Sequence, residues 1–160
     1  MRKELFVDIE TNDSLDPQTG IITQLSAIYR VGGKVIETID LKGDGIYARF
    51  NAFVDSKVDR YNKDDKMYFI AYNAGFDTDF IRAMFMSYGN KFFGSYFFVP
   101  SICVMQMAAS RFMRANIRPE NFKLANVARA LDLEVDDTKL HDGLYDINLT
   151  KNVYNALIKF

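Results

Sequence analysis

Apolar and polar residues follow different periods along this chain, and the changes of period mark its elements. "ELFVDIE" is a compact apolar run with β-branched and aromatic residues, which predicts a first, central strand. "TNDSLDPQTG" gathers turn formers and predicts a loop. "IITQLSAIYRV", Gly32-Gly33 and "KVIETIDL" together predict a β-hairpin. "MYFIAYN" predicts a second buried strand, and Gly75 to Tyr88 a helix stopped by Gly89-Asn90. "SYFFVP" predicts a short strand. Ser101 is then expected to cap a helix reaching about Arg114, with a further helix over Pro119 to Leu131 and a last one over Gly143 to Ile158. Between Gly43 and Lys66 the pattern is poor, and "DSKVDRYNKDDK" mixes both charge signs like a solvated, helix-compatible face. A hairpin followed by alternating strands and helices predicts an α/β fold, a mixed sheet with helices packed on it. No repeat, low-complexity tract or linker interrupts the pattern, so residues 1–160 read as a single domain.

Composition narrows the class. About half of the residues are apolar and a quarter charged, an ordinary globular mixture able to bury one substantial core. The single cysteine excludes an internal disulfide and a multi-cysteine zinc site, and it suits a reducing cytoplasm. No apolar run has the length of a membrane span, and "MRKELFVDIE" lacks the apolar core of a secretion signal. The expectation is a soluble cytoplasmic protein with no membrane partner. A formal net charge of −1 supplies no global attraction for polyanions, so a nucleic-acid ligand needs local cations, from side chains or metal ions.

Acids stand where apolar residues are expected. In "LFVDIE" the two-residue period puts Asp8 and Glu10 on one face with Phe6, and Leu5, Val7 and Ile9 on the other. Two carboxylates at the end of a buried strand repel one another unless a cation or proton compensates. The strand leaving the core at this point, with both acids wet, accounts for them equally well. In the helix from Gly75, Phe76, Phe80, Ile81, Met84, Phe85 and Tyr88 fall on one arc at roughly 100° per residue, with Asp77 near its middle. Asp79 falls opposite, within reach of Arg82. In the last helix Leu149, Val153, Tyr154, Leu157 and Ile158 define the apolar arc, and Asp146 projects near its centre. A first-turn acid is favoured by the helix dipole, which explains the place of Asp77 and Asp146 but not their inward direction.

Four carboxylates with almost no histidine or cysteine form a hard oxygen donor set, suited to Mg²⁺ or Mn²⁺ rather than zinc. Such sites often hold two ions roughly 3.5–4 Å apart for phosphoryl chemistry. The only histidine, His141, lies just ahead of the helix carrying Asp146, and its ordinary pKa near 6.5 suits a general base.

These residues fall into three motifs in order: "FVDIET", "YNAGFDTDFI" and "HDGLYD". Together the chain resembles the DEDD superfamily of 3′–5′ exonucleases in its histidine branch, which includes polymerase proofreading subunits, oligoribonuclease and RNase T-like enzymes. The resemblance covers nearly the whole chain. It implies an RNase H-like fold, a five-stranded mixed sheet whose first three strands are antiparallel, flanked by helices. It also implies Asp8, Glu10, Asp77 and Asp146 as ligands of two Mg²⁺ ions (Mn²⁺ able to substitute) and His141 as general base. Thr11, Leu15, Asn73 and Phe76 match substrate-binding positions, Phe76 as a ring for stacking and Leu15 as an apolar wedge. Departures are Tyr72 where many members have His, a loop "NDSLDP" one residue longer than usual, and "VPSICVMQMA" without the usual Asp-Thr.

The expected function is a metal-dependent 3′–5′ exonuclease acting on a single-stranded or frayed 3′ end, with DNA favoured and a polymerase or other replication protein as a conceivable partner. The alternatives are an exoribonuclease and a catalytically silent RNase H-like binding module. "SRFMRANIRPENFK" offers Arg111, Arg114, Arg118 and Lys123 as a phosphate-contacting patch, though an ordinary solvated helix and turn accounts for them at least as well.

Overall fold

The computed structural model describes residues 1–159. Five strands form one sheet in the order β3-β2-β1-β4-β5. β1 (Lys3–Thr11), β2 (Ile22–Val31) and β3 (Lys34–Lys42) run as an antiparallel meander, while β4 (Met67–Ala71) and β5 (Phe97–Cys103) add in parallel on the other side of β1. The β2–β3 turn is Gly32-Gly33 with φ of 56° and 86°, the positive values a tight hairpin demands and glycine adopts freely. This is the five-stranded mixed sheet expected from the sequence.

The two-residue period of β1 divides the interior. Leu5, Val7 and Ile9 face a core closed by α1 (Ile46–Asp55), α2 (Ala74–Ser87) and the short α3 (Phe93–Tyr96). Phe6, with Ile28 and Ile70, faces a second core closed by α4 (Val104–Ala115), α5 (Leu124–Ala130) and α6 (Gly143–Ile158). Asp8 and Glu10 follow Phe6 on that face, where the strand emerges and both are only half-buried. Below them, Glu4 is fully buried. It is bound by Arg30 Nε at 2.6 Å, by Arg2 Nε at 2.9 Å and by the Tyr154 hydroxyl at 3.2 Å.

Five expectations change. Helix α1 arises inside the stretch with the poorest pattern, on Ile46, Phe50, Phe53 and Val54, whereas residues 56–66 form turns rather than a helix. Ser101 belongs to β5 and exchanges a 2.9 Å hydrogen bond with Thr78 Oγ1, so α4 starts only at Val104. The helix expected from Pro119 begins at Leu124. Arg82 lies 4.6 Å over the Phe93 ring, and no ion pair with Asp79 forms among the described residues. Ile158, placed on the buried arc of α6, is the last residue of that helix and is 45% exposed. No described helix is long and apolar enough to cross a membrane.

Candidate active site

β1 outlasts its parallel neighbour. It pairs with β4 only from Lys3 to Phe6, yet stays paired with β2 as far as Thr11. Asp8, Ile9 and Glu10 therefore overhang the end of β4, and a crevice opens at the carboxyl ends of the parallel strands, where α/β sheets usually bind ligands. A bulge between Glu10 and Thr11 ends the overhang and turns the following loop aside. Asp77, in the first turn of α2, fills the space beside β1 and is hydrogen-bonded to the backbone of Ile9 as well as to its own amide.

Asp146 arrives from the other side on α6. Asp142 caps that helix by accepting the Tyr145 amide at 3.0 Å. The helix can approach β2 because residue 143 is glycine: a Cβ there would lie 2.6 Å from Ser26 Oγ and 2.8 Å from Gln24 Nε2. Those side chains are held by Asp40, at 2.9 and 2.7 Å. Asp146 Oδ2 accepts the His141 amide at 3.1 Å, while its Oδ1 is buried without a partner. His141 itself is exposed and held at φ 70°, a left-handed conformation that costs a non-glycine residue about 1 kcal/mol or more.

The electrostatics register how close these groups are. Burial pushes the Asp8 carboxyl up to about 8, and Asp77, Asp146 and Glu10 push it in the same direction. Burial likewise raises Asp77 to about 7 against its two backbone hydrogen bonds. Glu10 and Asp146 are raised by burial too, and the His141 ring pulls both back down. The structure thus brings Asp8, Glu10, Asp77, Asp146 and His141 to one crevice. Among the described residues, however, no three His, Cys, Asp or Glu groups are gathered closely enough to hold a metal ion as they stand. Uncompensated repulsion opposes such a gathering. The donor set still fits divalent cations: its oxygens are hard, several like charges share a low-dielectric site, and one buried carboxylate oxygen lacks any partner.

The remaining expected residues lie on β1, on the loop after it and at the start of α2. Thr11 donates its hydroxyl to the Ser14 carbonyl at 3.2 Å, bracing the loop from which Leu15 projects 82% exposed. Asn73 is exposed at the start of α2 and makes no side-chain cap bond. Phe76 is half-buried, 4.7 Å from the Phe80 ring. A groove of about 750 Å³ lies between Gly20, Gly45 and Tyr88, and Asp8, Glu10, Asp77 and Asp146 do not line it.

Comparison with known proteins follows the same lines. Residues 5–146 match the RNase_H_2 family of the RNase_H superfamily. The chain belongs to this superfamily. Its RNase H-like fold is shared with Escherichia coli exonuclease I in a zinc-bound complex with single-stranded DNA (TM-score 0.75, 18% identity, 99% of this chain and 41% of that one). It is shared also with the complex of that enzyme with a dA16 oligonucleotide (TM-score 0.73, 18% identity, 99% and 41%). The product-bound exonuclease I superposes at a TM-score of 0.68 with 18% identity over 99% and 44% of the two chains. The chain spans about two fifths of the length of these structures. A comparison with curated protein sequences found no match.

Sequence reasoning passed over one contact at the end of β4 in this RNase H-like fold. The Tyr72 hydroxyl donates to the Phe122 carbonyl at 2.5 Å and ties the end of β4 to the α4–α5 connection. The departure from His at this position was its only trace in the sequence.

Proposed function

We propose that the chain is a metal-dependent 3′–5′ exonuclease of the histidine DEDD branch, releasing nucleoside 5′-monophosphates from nucleic acid, with DNA favoured. The observation that supports this most is the Asp8 carboxyl at a sheet end, raised by burial and by Asp77, Asp146 and Glu10, with a buried oxygen of Asp146 left without a partner. Asp8, Glu10, Asp77 and Asp146 hold two Mg²⁺ ions in this reading, with Mn²⁺ able to replace them. When bound, such ions supply a nucleophile from water and stabilise the leaving oxygen.

His141 receives a proton from the attacking water. Its exposure, and its electrostatic influence on both Glu10 and Asp146, suit a group that must take up a proton and return it to solvent. Thr11 and Asn73 orient the terminal nucleotide, the Phe76 ring stacks on a base, and Leu15 wedges beneath it. The substrate is a single-stranded or frayed 3′ end, and a polymerase or other replication protein is a compatible partner. The complexes of exonuclease I with single-stranded DNA support the same substrate class here.

The test uses a 5′-labelled single-stranded oligonucleotide with Mg²⁺, in matched DNA and RNA forms. A descending ladder of products by wild type, lost in Asp77→Ala, is the expected result. No shortening of either, or equal shortening by Asp77→Ala, refutes the proposal. The open arrangement of the acids favours one second reading, a silent binding module. Calorimetry showing no uptake of Mg²⁺ or Mn²⁺ would establish it.

A further inference from the structure

The acid crevice is a poor place for a polyanion, and the chain's net charge of −1 does not offset it. Beside any metal ions held there, side-chain cations near the crevice would add to the grip on phosphate. The α4–α5 connection, residues 116–123, carries two, Arg118 and Lys123, against one acid, Glu120. All three are exposed, and neither Arg118 nor Lys123 has an ion-pair partner among the described residues.

This connection is held at both ends. Asn116, at φ 54°, ends α4, and the Ile117 amide bonds the Phe112 carbonyl at 2.9 Å. At the other end Asn121 Oδ1 accepts the Lys123 amide at 2.9 Å, and the Tyr72 hydroxyl holds the Phe122 carbonyl at 2.5 Å. Tyr72 is itself fixed: its carbonyl accepts the Met105 amide at 2.9 Å, and its ring packs against the second core. Its neighbours in the chain are Asn73 and, one helical turn on, the buried Asp77. A single side chain therefore joins the strand end that leads into the crevice to the backbone one residue from Lys123.

We infer that Tyr72 is a positioning residue that sets Lys123 on the rim of the crevice as a contact for a backbone phosphate of the substrate strand. This rests on the nucleolytic reading above. Lys123 supplies the charge, and Tyr72 supplies the place where it is held. A free connection would still carry the charge, but spread over many conformations and correspondingly weaker.

The experiment measures fluorescence anisotropy of 5′-fluorescein-labelled oligothymidylate and oligouridylate with EDTA present, across a salt series. Wild type, Tyr72→Phe, Lys123→Ala and the double variant are compared. Each single variant is expected to weaken binding about fivefold and to reduce the salt slope by about one. The double variant is expected to bind no more weakly than either single one. Trypsin should cleave after Lys123 faster in Tyr72→Phe than in wild type, which reads the loosened tie independently of binding. Wild-type affinity and salt slope in Tyr72→Phe, or additive losses in the double variant, overturn the inference while leaving the nucleolytic reading intact. If Tyr72→Phe does not fold, wild-type binding and salt slope in Lys123→Ala overturn it equally. Absence of binding by wild type to both oligonucleotides removes the reading beneath it.

Discussion

Replacing Arg30 by Met should destabilise the protein by an amount the structure allows to be estimated. Arg30 is 4% exposed and Glu4 fully buried, and they meet at 2.6 Å. The guanidinium also bonds Asn155 Oδ1 at 2.7 Å and sits 5.0 and 5.5 Å over the rings of Phe6 and Tyr154. Removing one partner of a buried pair costs about 3–5 kcal/mol, because the other charge stays in the low-dielectric interior. Arg2 still reaches Glu4 from the surface at 2.9 Å, which places the loss at the lower end, about 3 kcal/mol. An unfolding entropy of roughly 2.1 cal/mol/K per residue over 160 residues converts this into a fall in Tm of about 9 °C. Arg30 Nη2 is buried without a partner, so the ion pair is incompletely satisfied. Glu4→Leu combined with Arg30→Met should therefore recover most of the loss. Thermal unfolding followed by circular dichroism measures Arg30→Met, Glu4→Leu and the double variant. A loss below about 1 kcal/mol in Arg30→Met, or a double variant as unstable as the two single losses together, refutes the reasoning.

Other consequences are smaller in scope. Asp8 and Asp77 have folded-state pKa values of about 8 and about 7, above the ordinary carboxylate range. Their contribution to stability is therefore complete below about pH 4 and lost as pH rises through 7 and 8. In EDTA the Tm should fall over that interval, and Asp8→Asn should flatten the fall; a Tm that rises from pH 5 to 8 contradicts this. His141→Ala should nearly abolish turnover while calorimetric binding of Mg²⁺ persists, whereas Asp146→Ala should impair both. Gly143→Ala should cost about 1–2 kcal/mol in urea unfolding by driving α6 off Ser26 and Gln24, and Ser26→Ala should return part of it.

The motifs were legible because each places an acid against a strong period. Asp8 and Glu10 share a strand face, and Asp77 and Asp146 interrupt apolar helical arcs. The bounds of α6 could be read from the sequence because Asp142 and Gly143 mark its start and the apolar period runs on to its end. Helix α1 could have been read from Ile46, Phe50, Phe53 and Val54, but it is short, and glycines before it and mixed charges after it mask its period. The late start of α5 was not legible, because residues 119–123 are kept out of the helix by the Tyr72–Phe122 tie and by Asn121, the first of them a contact across 50 positions. The buried Glu4–Arg30 pair was hidden for the same reason. Its members lie on different strands, and each looks like an ordinary surface charge in sequence.

The overhang of β1 beyond β4 has a spectroscopic consequence. Where β4 has ended, the hydrogen bond that Ile9's backbone would otherwise find in a strand is made to a side chain, Asp77. Its amide proton is then guarded by a titratable group instead of by a ladder. Protonating Asp77, or drawing its oxygens toward a cation, weakens that guard without unfolding anything. The exchange rate and chemical shift of this one amide should report the state of the crevice, a native gauge that needs no label.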